Sequence, residues 1–285
     1  MKVSLYKAFG AGNAEPVFQS FETGLINSGD KVSTNDMDAD AVVIWSMLFA
    51  GRMSGNEEVY NHYKSQGKPI IVLEVGSLGR NVTWRVGLNH INATGTFPTP
   101  DPKYPRWKHF PRDLMPWRNV GEFIVIATQR PDSTQWIGMP PMEQWVEETV
   151  HEVRKYSDRP IVIRPHPRDH YTDWDFVNQK IPGMYYDLPK PIGKKDMMNI
   201  HDILDRAHIV INHCSNPAVD AIIHGVPVIV GKESLCHELT TTFENIENPN
   251  KPDREEWCEK MAYTEWSESE IAAGYPWQYL KKQLV

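Results

Sequence analysis

Short, unbroken apolar runs set the strongest limit on how this chain can fold. Val3-Ser-Leu-Tyr6, Ala41-Val-Val-Ile-Trp45, Pro69-Ile-Ile-Val-Leu73, Phe123-Ile-Val-Ile-Ala127, Pro160-Ile-Val-Ile163, His208-Ile-Val-Ile211 and Val226-Pro-Val-Ile-Val230 are each only four or five residues long. Runs of this kind read as strands buried on both faces, the strands of parallel sheets. Helical stretches over residues 15–28, 57–66, 142–156, 202–207 and 218–224 alternate with them, and Gly67 and Gly225 supply stops. Strand and helix alternate twice, so the expected class is α/β, with two Rossmann-like domains facing a central cleft. Prolines 98, 100, 102, 105, 111 and 116 interrupt any regular element over residues 96–118. The predicted division is therefore an N-terminal domain over residues 1–119 carrying that loop, a second domain over residues 120–265, and a closing helix over residues 266–285. Domain interfaces are preferred ligand sites.

Several classes are excluded at once. No G-x-G-x-x-G or G-x-x-x-x-G-K-[ST] fingerprint occurs, which argues against a dinucleotide dehydrogenase and a P-loop NTPase. No apolar stretch approaches the roughly 18 residues of a membrane span, and the chain opens directly on a strand. Cys214, Cys236 and Cys258 have no C-x-x-C spacing, so neither a disulfide framework nor structural zinc is expected, and a reducing cytoplasm fits best. Residues 1–120 hold 13 Lys and Arg against 11 Asp and Glu, net +2; residues 121–285 hold 17 against 26, net −9.

The apolar runs of the second half stop abruptly and deliver polar groups at their carboxyl ends, where open α/β sheets bind ligands. Ile161-Val-Ile is followed by Arg164, His166 and Arg168, three candidate phosphate donors, and Gln129 lies just beyond the run ending at Ala127. After Ile209-Val-Ile, Ser215 and Asn216 precede Pro217, which reads as an N-cap and N1 proline opening a helix favourable to an anion. Together these residues describe a diphosphate pocket. Asp220, one turn on, is either a hydrogen-bond acceptor for a ribose or a first-turn carboxylate favoured by the helix dipole. No metal is expected: Asp36-Met-Asp38-Ala-Asp40 precedes its strand and so lies at the wrong edge of the sheet, and Asp173-Trp-Asp175 reads as a helix start.

Arg164-Pro-His-Pro-Arg168, with His213-Cys-Ser-Asn-Pro-Ala-Val-Asp220 and the run to Val230, resembles the donor half of GT-B-type glycosyltransferases, nearest those of capsule sugars and polyol phosphates. Where those families often carry two consecutive hydroxyl residues, this chain has Ser215-Asn216, which leaves the nucleotide open. Pro69 to Arg80 with Trp84, and Trp266 to Trp277, resemble small phage-encoded glycosyltransferases, some of which decorate hydroxymethylated pyrimidines in DNA. The resemblance implies a nucleotide-sugar donor of the UDP type as substrate, with no cofactor.

Such a transfer needs donors that stabilise a departing diphosphate, with His166 counted among the catalytic groups, and a base for the acceptor hydroxyl. Glu74, at the carboxyl end of its strand, is the candidate base; the alternative is that it pairs with Arg80 or Arg85 and holds the loop. His90 is the second candidate. Arg80, Trp84, Arg85, His90, Arg106, Trp107 and Lys108 form a locally basic, aromatic stretch with the composition of a nucleic-acid surface. Joined to that stretch, the resemblance to phage-encoded glycosyltransferases implies 5-hydroxymethylcytosine or a related hydroxymethylpyrimidine in double-stranded phage DNA as the expected acceptor. A glycan or capsule-type acceptor, a sugar epimerase of the same architecture and a non-catalytic nucleotide-binding protein are the alternatives.

Overall fold

The computed structural model describes residues 1–190 and 200–284. In chain order the elements are β1 (Lys2–Leu5), α1 (Glu15–Asn27), β2 (Lys31–Thr34), β3 (Ala41–Trp45), α2 (Asn56–Ser65), β4 (Ile70–Val75), β5 (Thr83–Leu88), β6 (Phe123–Ala127), α3 (Met142–Arg154), β7 (Ile161–Arg164), α4 (Trp174–Lys180), β8 (Tyr185–Tyr186), α5 (His201–Leu204), β9 (Ala207–Asn212), α6 (Pro217–Ile223), β10 (Val228–Val230), α7 (Glu255–Ala262), β11 (Glu265–Ser267), α8 (Glu268–Ala272) and α9 (Tyr275–Lys281). They form two Rossmann-like α/β units, residues 1–111 with 254–285, and residues 112–253.

In the first unit the strand order is β11-β5-β4-β3-β1-β2. Strands β2, β1, β3 and β4 are parallel, and β5 and β11 extend the sheet with antiparallel pairings. The two-residue period of a strand sends alternate side chains to opposite faces. Ala41, Val43 and Trp45 accordingly join Ile71 and Leu73 against Phe18, Phe21 and Leu25 of α1 and Trp277 of α9. Val42, Ile44, Ile70 and Val72 pack with Val59 and Tyr63 of α2 on the other face.

The second unit is a five-stranded, wholly parallel sheet, β10-β9-β6-β7-β8. Ile124, Ile126, Ile161, Ile163, Ile209 and Ile211 line one face against Val146, Val150 and Val153 of α3. Gly225 ends α6 with φ +80°, the left-handed stop expected of it.

The observed division departs from the expected boundaries at both crossings. Residues 112–119 pack with the second unit, because Met115 N donates to Ile223 O (2.9 Å) and Arg118 N to Gly225 O (2.8 Å). Residues 254–265 belong to the first unit, because β11 pairs with β5 through Glu265–Arg85, Trp266–Trp84 and Ser267–Thr83. The expected closing helix is two helices, α8 and α9, parted at Gly274, whose φ of +83° favours glycine. Buried Asp30 fastens α9, accepting from Trp277 Nε1 at 2.7 Å and Lys281 Nζ at 2.8 Å. No helix among the described residues is long and apolar enough to cross a membrane.

Candidate functional site

The order of the second unit's sheet reverses between β6 and β9: β7 and β8 lie on one side of β6, β9 and β10 on the other. Such a topological switch point opens a crevice at the strands' carboxyl ends. The loops after β6 and β9 are tied together across it. Asn212 Nδ2 donates to Ala127 O (2.8 Å) and to Ser215 Oγ (2.8 Å), Ser215 N donates to Asn212 Oδ1 (2.7 Å), and Cys214 N donates to Gln129 Oε1 (3.2 Å). The loop after β7 joins them, with His166 N donating to Thr128 Oγ1 at 3.0 Å. Thr128, Gln129, Arg164, Asn212 and His213 are all buried polar residues at this one edge. Buried polar groups are costly unless bonded, and these bonds hold the three loops together at the strands' carboxyl ends.

His166 is held in one tautomer. Its Nδ1 accepts from Arg168 N (3.1 Å), which leaves the proton on Nε2. Burial, with the charges of Arg130 and Arg168, pushes this imidazole down to about 4. It is a neutral donor near neutral pH. Arg164 is engaged by Asp187, just beyond β8, and Arg168 lies exposed at the rim. Asn216 opens α6 without a side-chain cap, and the Ser215 hydroxyl is turned to Asn212. Asp220 is paired with Arg112 (2.7 Å) and so sits in an ion pair rather than as an unpaired first-turn acid. Burial pushes the Cys214 thiol up to about 12, so it is no nucleophile.

In the first unit the parallel order reverses between β1 and β3. Glu74 is the last residue but one of β4, at the carboxyl end of the strand. Its carboxylate pairs with neither Arg80 nor Arg85. Glu74 Oε2 accepts from Ser46 Oγ at 2.6 Å and Oε1 from Val75 N at 2.8 Å. His90 is not beside it. Asn89 bonds both backbone groups of Ile70, at the amino end of β4, so His90 stands at the opposite edge of the sheet. At about 3.3 Å per residue, Ile70 and Glu74 are roughly 13 Å apart. Burial, with Lys64, pushes His90 down to about 4.

The basic, aromatic stretch is largely turned inward. Trp84 is buried with its ring centroid 5.6 Å from that of Trp45. Arg85, 5% exposed, donates to Glu265 (3.3 Å), to Ser77 Oγ (2.7 Å) and to Ile91 O (3.3 Å). Arg106 lies 3.7 Å from the centroid of the Trp266 ring and donates to both oxygens of Glu270 and to the carbonyls of Ala262 and Glu265. Arg80 is half-buried, and Trp107 stacks on Phe110 with its backbone N on Glu259. Lys108 is exposed. These side chains are distributed over a core contact, two internal ion pairs and a loop; the structure does not gather them into one groove.

The sequence does not single out Thr128, Asn212 or Arg130; Arg130, paired with Asp132, is one of the charges that push His166 down. The signal was present, since each lies within three residues of a strand's carboxyl end. Nor does the sequence single out Glu265, which lies just before the expected closing helix over residues 266–285. Among the described residues no group of three His, Cys, Asp or Glu side chains gathers to hold a metal ion.

No protein-family model matches the chain, and no curated protein matches it. Among solved structures it is similar to the KpsC β-Kdo 2,7 transferase of Thermosulfurimonas dismutans, with 15% identity, a TM-score of 0.54 and 100% of each chain covered. It is similar also to the KpsC β-Kdo 2,4 transferase of the same organism, with 14% identity, a TM-score of 0.50, and 93% of this chain and 90% of that one covered. At these identities the likeness establishes a shared fold, that of two Rossmann-like domains found in GT-B enzymes.

Proposed function

We propose that the chain is a glycosyltransferase that moves a sugar from a nucleotide sugar, of the UDP type, to a hydroxyl of a glycan acceptor without a metal. The observation that supports this reading is the switch point of the second unit, where the loops that carry Gln129, His166, and Ser215 with Asn216 are bonded to one another. The Nε2–H of neutral His166 and the Arg168 guanidinium supply donors for a departing diphosphate, and preorganised donors of this kind account for much of such catalysis. Arg164, held by Asp187, orders the pocket wall, and Asp220 with Arg112 fixes the first turn of α6. Glu74 takes the acceptor proton as the hydroxyl oxygen bonds the anomeric carbon and the bond to the diphosphate breaks.

A glycan acceptor is favoured over DNA because Trp84 and Arg85 are buried and Arg106 is spent on Glu270 and Trp266. The similar structures, both named as Kdo transferases, support the same choice. The test is product formation from a panel of nucleotide sugars with glycan acceptors and with duplex containing 5-hydroxymethylcytosine, by wild type and by Glu74→Gln. Glycan transfer that falls about 10²–10⁴-fold in Glu74→Gln with donor binding retained is the expected result. Transfer to the duplex alone would restore the DNA acceptor, and nucleotide binding without turnover would make the chain a binding protein.

A further inference from the structure

We propose that Ser46 is the positioning residue of Glu74, a role that rests on the reading of Glu74 as the acceptor base. Ser46 follows β3 directly, is 3% exposed, and has a φ of +67°. A buried serine in the left-handed region is uncommon, and glycine or asparagine would occupy that conformation at less cost. Such strain persists where the surroundings over-determine it, and it gathers at functional sites. Here the backbone is fixed by Ser46 N donating to Leu73 O at 2.7 Å, one residue before Glu74.

The side chain explains why serine stands there. Ser46 Oγ accepts from Leu48 N at 3.0 Å, and its one proton is directed to Glu74 Oε2 at 2.6 Å. The other oxygen, Oε1, accepts from Val75 N at 2.8 Å. Each carboxylate oxygen thus has one fixed donor and keeps lone-pair capacity for a further hydrogen. The carboxylate plane is set before any acceptor arrives. In transfer, the acceptor hydroxyl gives its proton to Glu74, its oxygen forms the bond to the anomeric carbon, and the diphosphate leaves with the electron pair of the broken bond. Ser46 touches none of the reacting atoms and acts only by holding Glu74.

The experiment compares Ser46→Ala, Ser46→Gly, Glu74→Gln and Ser46→Ala with Glu74→Gln in the full chain, measuring kcat, donor KM and the thermal midpoint with the nucleotide sugar that the wild type turns over. Misplacing a catalytic group by about 1 Å costs on the order of 10²-fold, so Ser46→Ala and Ser46→Gly are each expected to lose about 10- to 100-fold in kcat with donor KM unchanged. Ser46→Gly, relieved of strain, melts at or above the wild-type temperature, which separates the loss of rate from a loss of fold. Adding Ser46→Ala to Glu74→Gln lowers the rate no further, as expected of residues acting as one unit. Wild-type kcat in Ser46→Gly, or an effect confined to KM, overturns the role of Ser46 while an impaired Glu74→Gln upholds the base. Full activity in Glu74→Gln, or no turnover of any donor by the wild type, overturns the reading of Glu74 itself.

Discussion

Removal of the Glu265 carboxylate is expected to cost more stability than any other single change at the first unit's sheet edge. Glu265 is fully buried and accepts from Ser77 N (2.6 Å), Ser77 Oγ (2.7 Å), Leu78 N (3.0 Å), Thr83 Oγ1 (2.8 Å) and Arg85 Nη2 (3.3 Å). Glu265→Ala strands the buried Arg85 charge, a loss of about 3–5 kcal/mol when one partner of a buried pair is removed. It also orphans two backbone N–H groups, each worth about 1–3 kcal/mol if water does not reach them. Water entering the vacated space offsets part of this, so the net expectation is about 4 kcal/mol, and about 2 kcal/mol for Glu265→Gln, which keeps one acceptor. Urea unfolding followed by tryptophan fluorescence reports it, because Trp84 and Trp266 flank the pair in the β5–β11 register. The loss should change little with salt, since a buried pair is poorly screened. A shift below about 1 kcal/mol in Glu265→Ala would refute the reasoning that this carboxylate holds Ser77, Leu78, Thr83 and Arg85 together.

The remaining predictions concern Arg106 and two histidines. Arg106→Lys keeps the charge but loses the paired bonds to Glu270 and the stacking on Trp266, and should destabilise by about 2 kcal/mol with no selective loss of binding to duplex DNA; a stable variant with salt-dependent loss of DNA binding would contradict it. Burial pushes His90 and His166 down to about 4 from an ordinary value of 6.5, so the unfolded chain takes up protons over that window that the folded chain refuses. The contribution of these two histidines to stability should therefore fall as pH drops from about 6.5 to about 4 and level off below, where the carboxylates held down by their partners, such as Asp36 and Glu270, take over the decline. Thermal midpoints across that range should flatten in His90→Gln and His166→Gln, and an unchanged slope would contradict the burial argument.

Much of the fold was legible because buried parallel strands announce themselves as continuous apolar runs: Ala41–Trp45 and Phe123–Ala127 fall where the residues place them. Four strands escaped: β2 and β8 are little buried, and β5 and β11 mix apolar residues with charge. β5 contains Arg85 and Gly87, and β11 is three residues led by an acid; they are joined across the sheet by the Arg85–Glu265 pair, which no local pattern reveals. That same long-range pairing moved the domain boundary to residue 254. For the proposed site, strand ends are what pointed to Arg164, His166, Ser215 and Glu74. The partners that decide what those groups can do, Asp187 for Arg164, Asn212 for Ser215 and Ser46 for Glu74, come from elements separated in sequence or hidden in loops. The basic stretch misled because composition does not say which way a side chain points: Arg106 reads as a surface charge and is packed on Trp266.

The central claim is that the loops after β6, β7 and β9 bind the phosphates of a nucleotide sugar. Titration calorimetry of the full chain with UDP, and with GDP and CMP as alternatives, tests it in wild type, His166→Ala and Arg168→Ala. The account predicts saturable binding of one nucleotide by the wild type, weakened about tenfold or more in His166→Ala through loss of one hydrogen bond to a charged group, worth roughly 1.5–3 kcal/mol. Equal affinity in all three proteins, or no binding of any nucleotide, would contradict it.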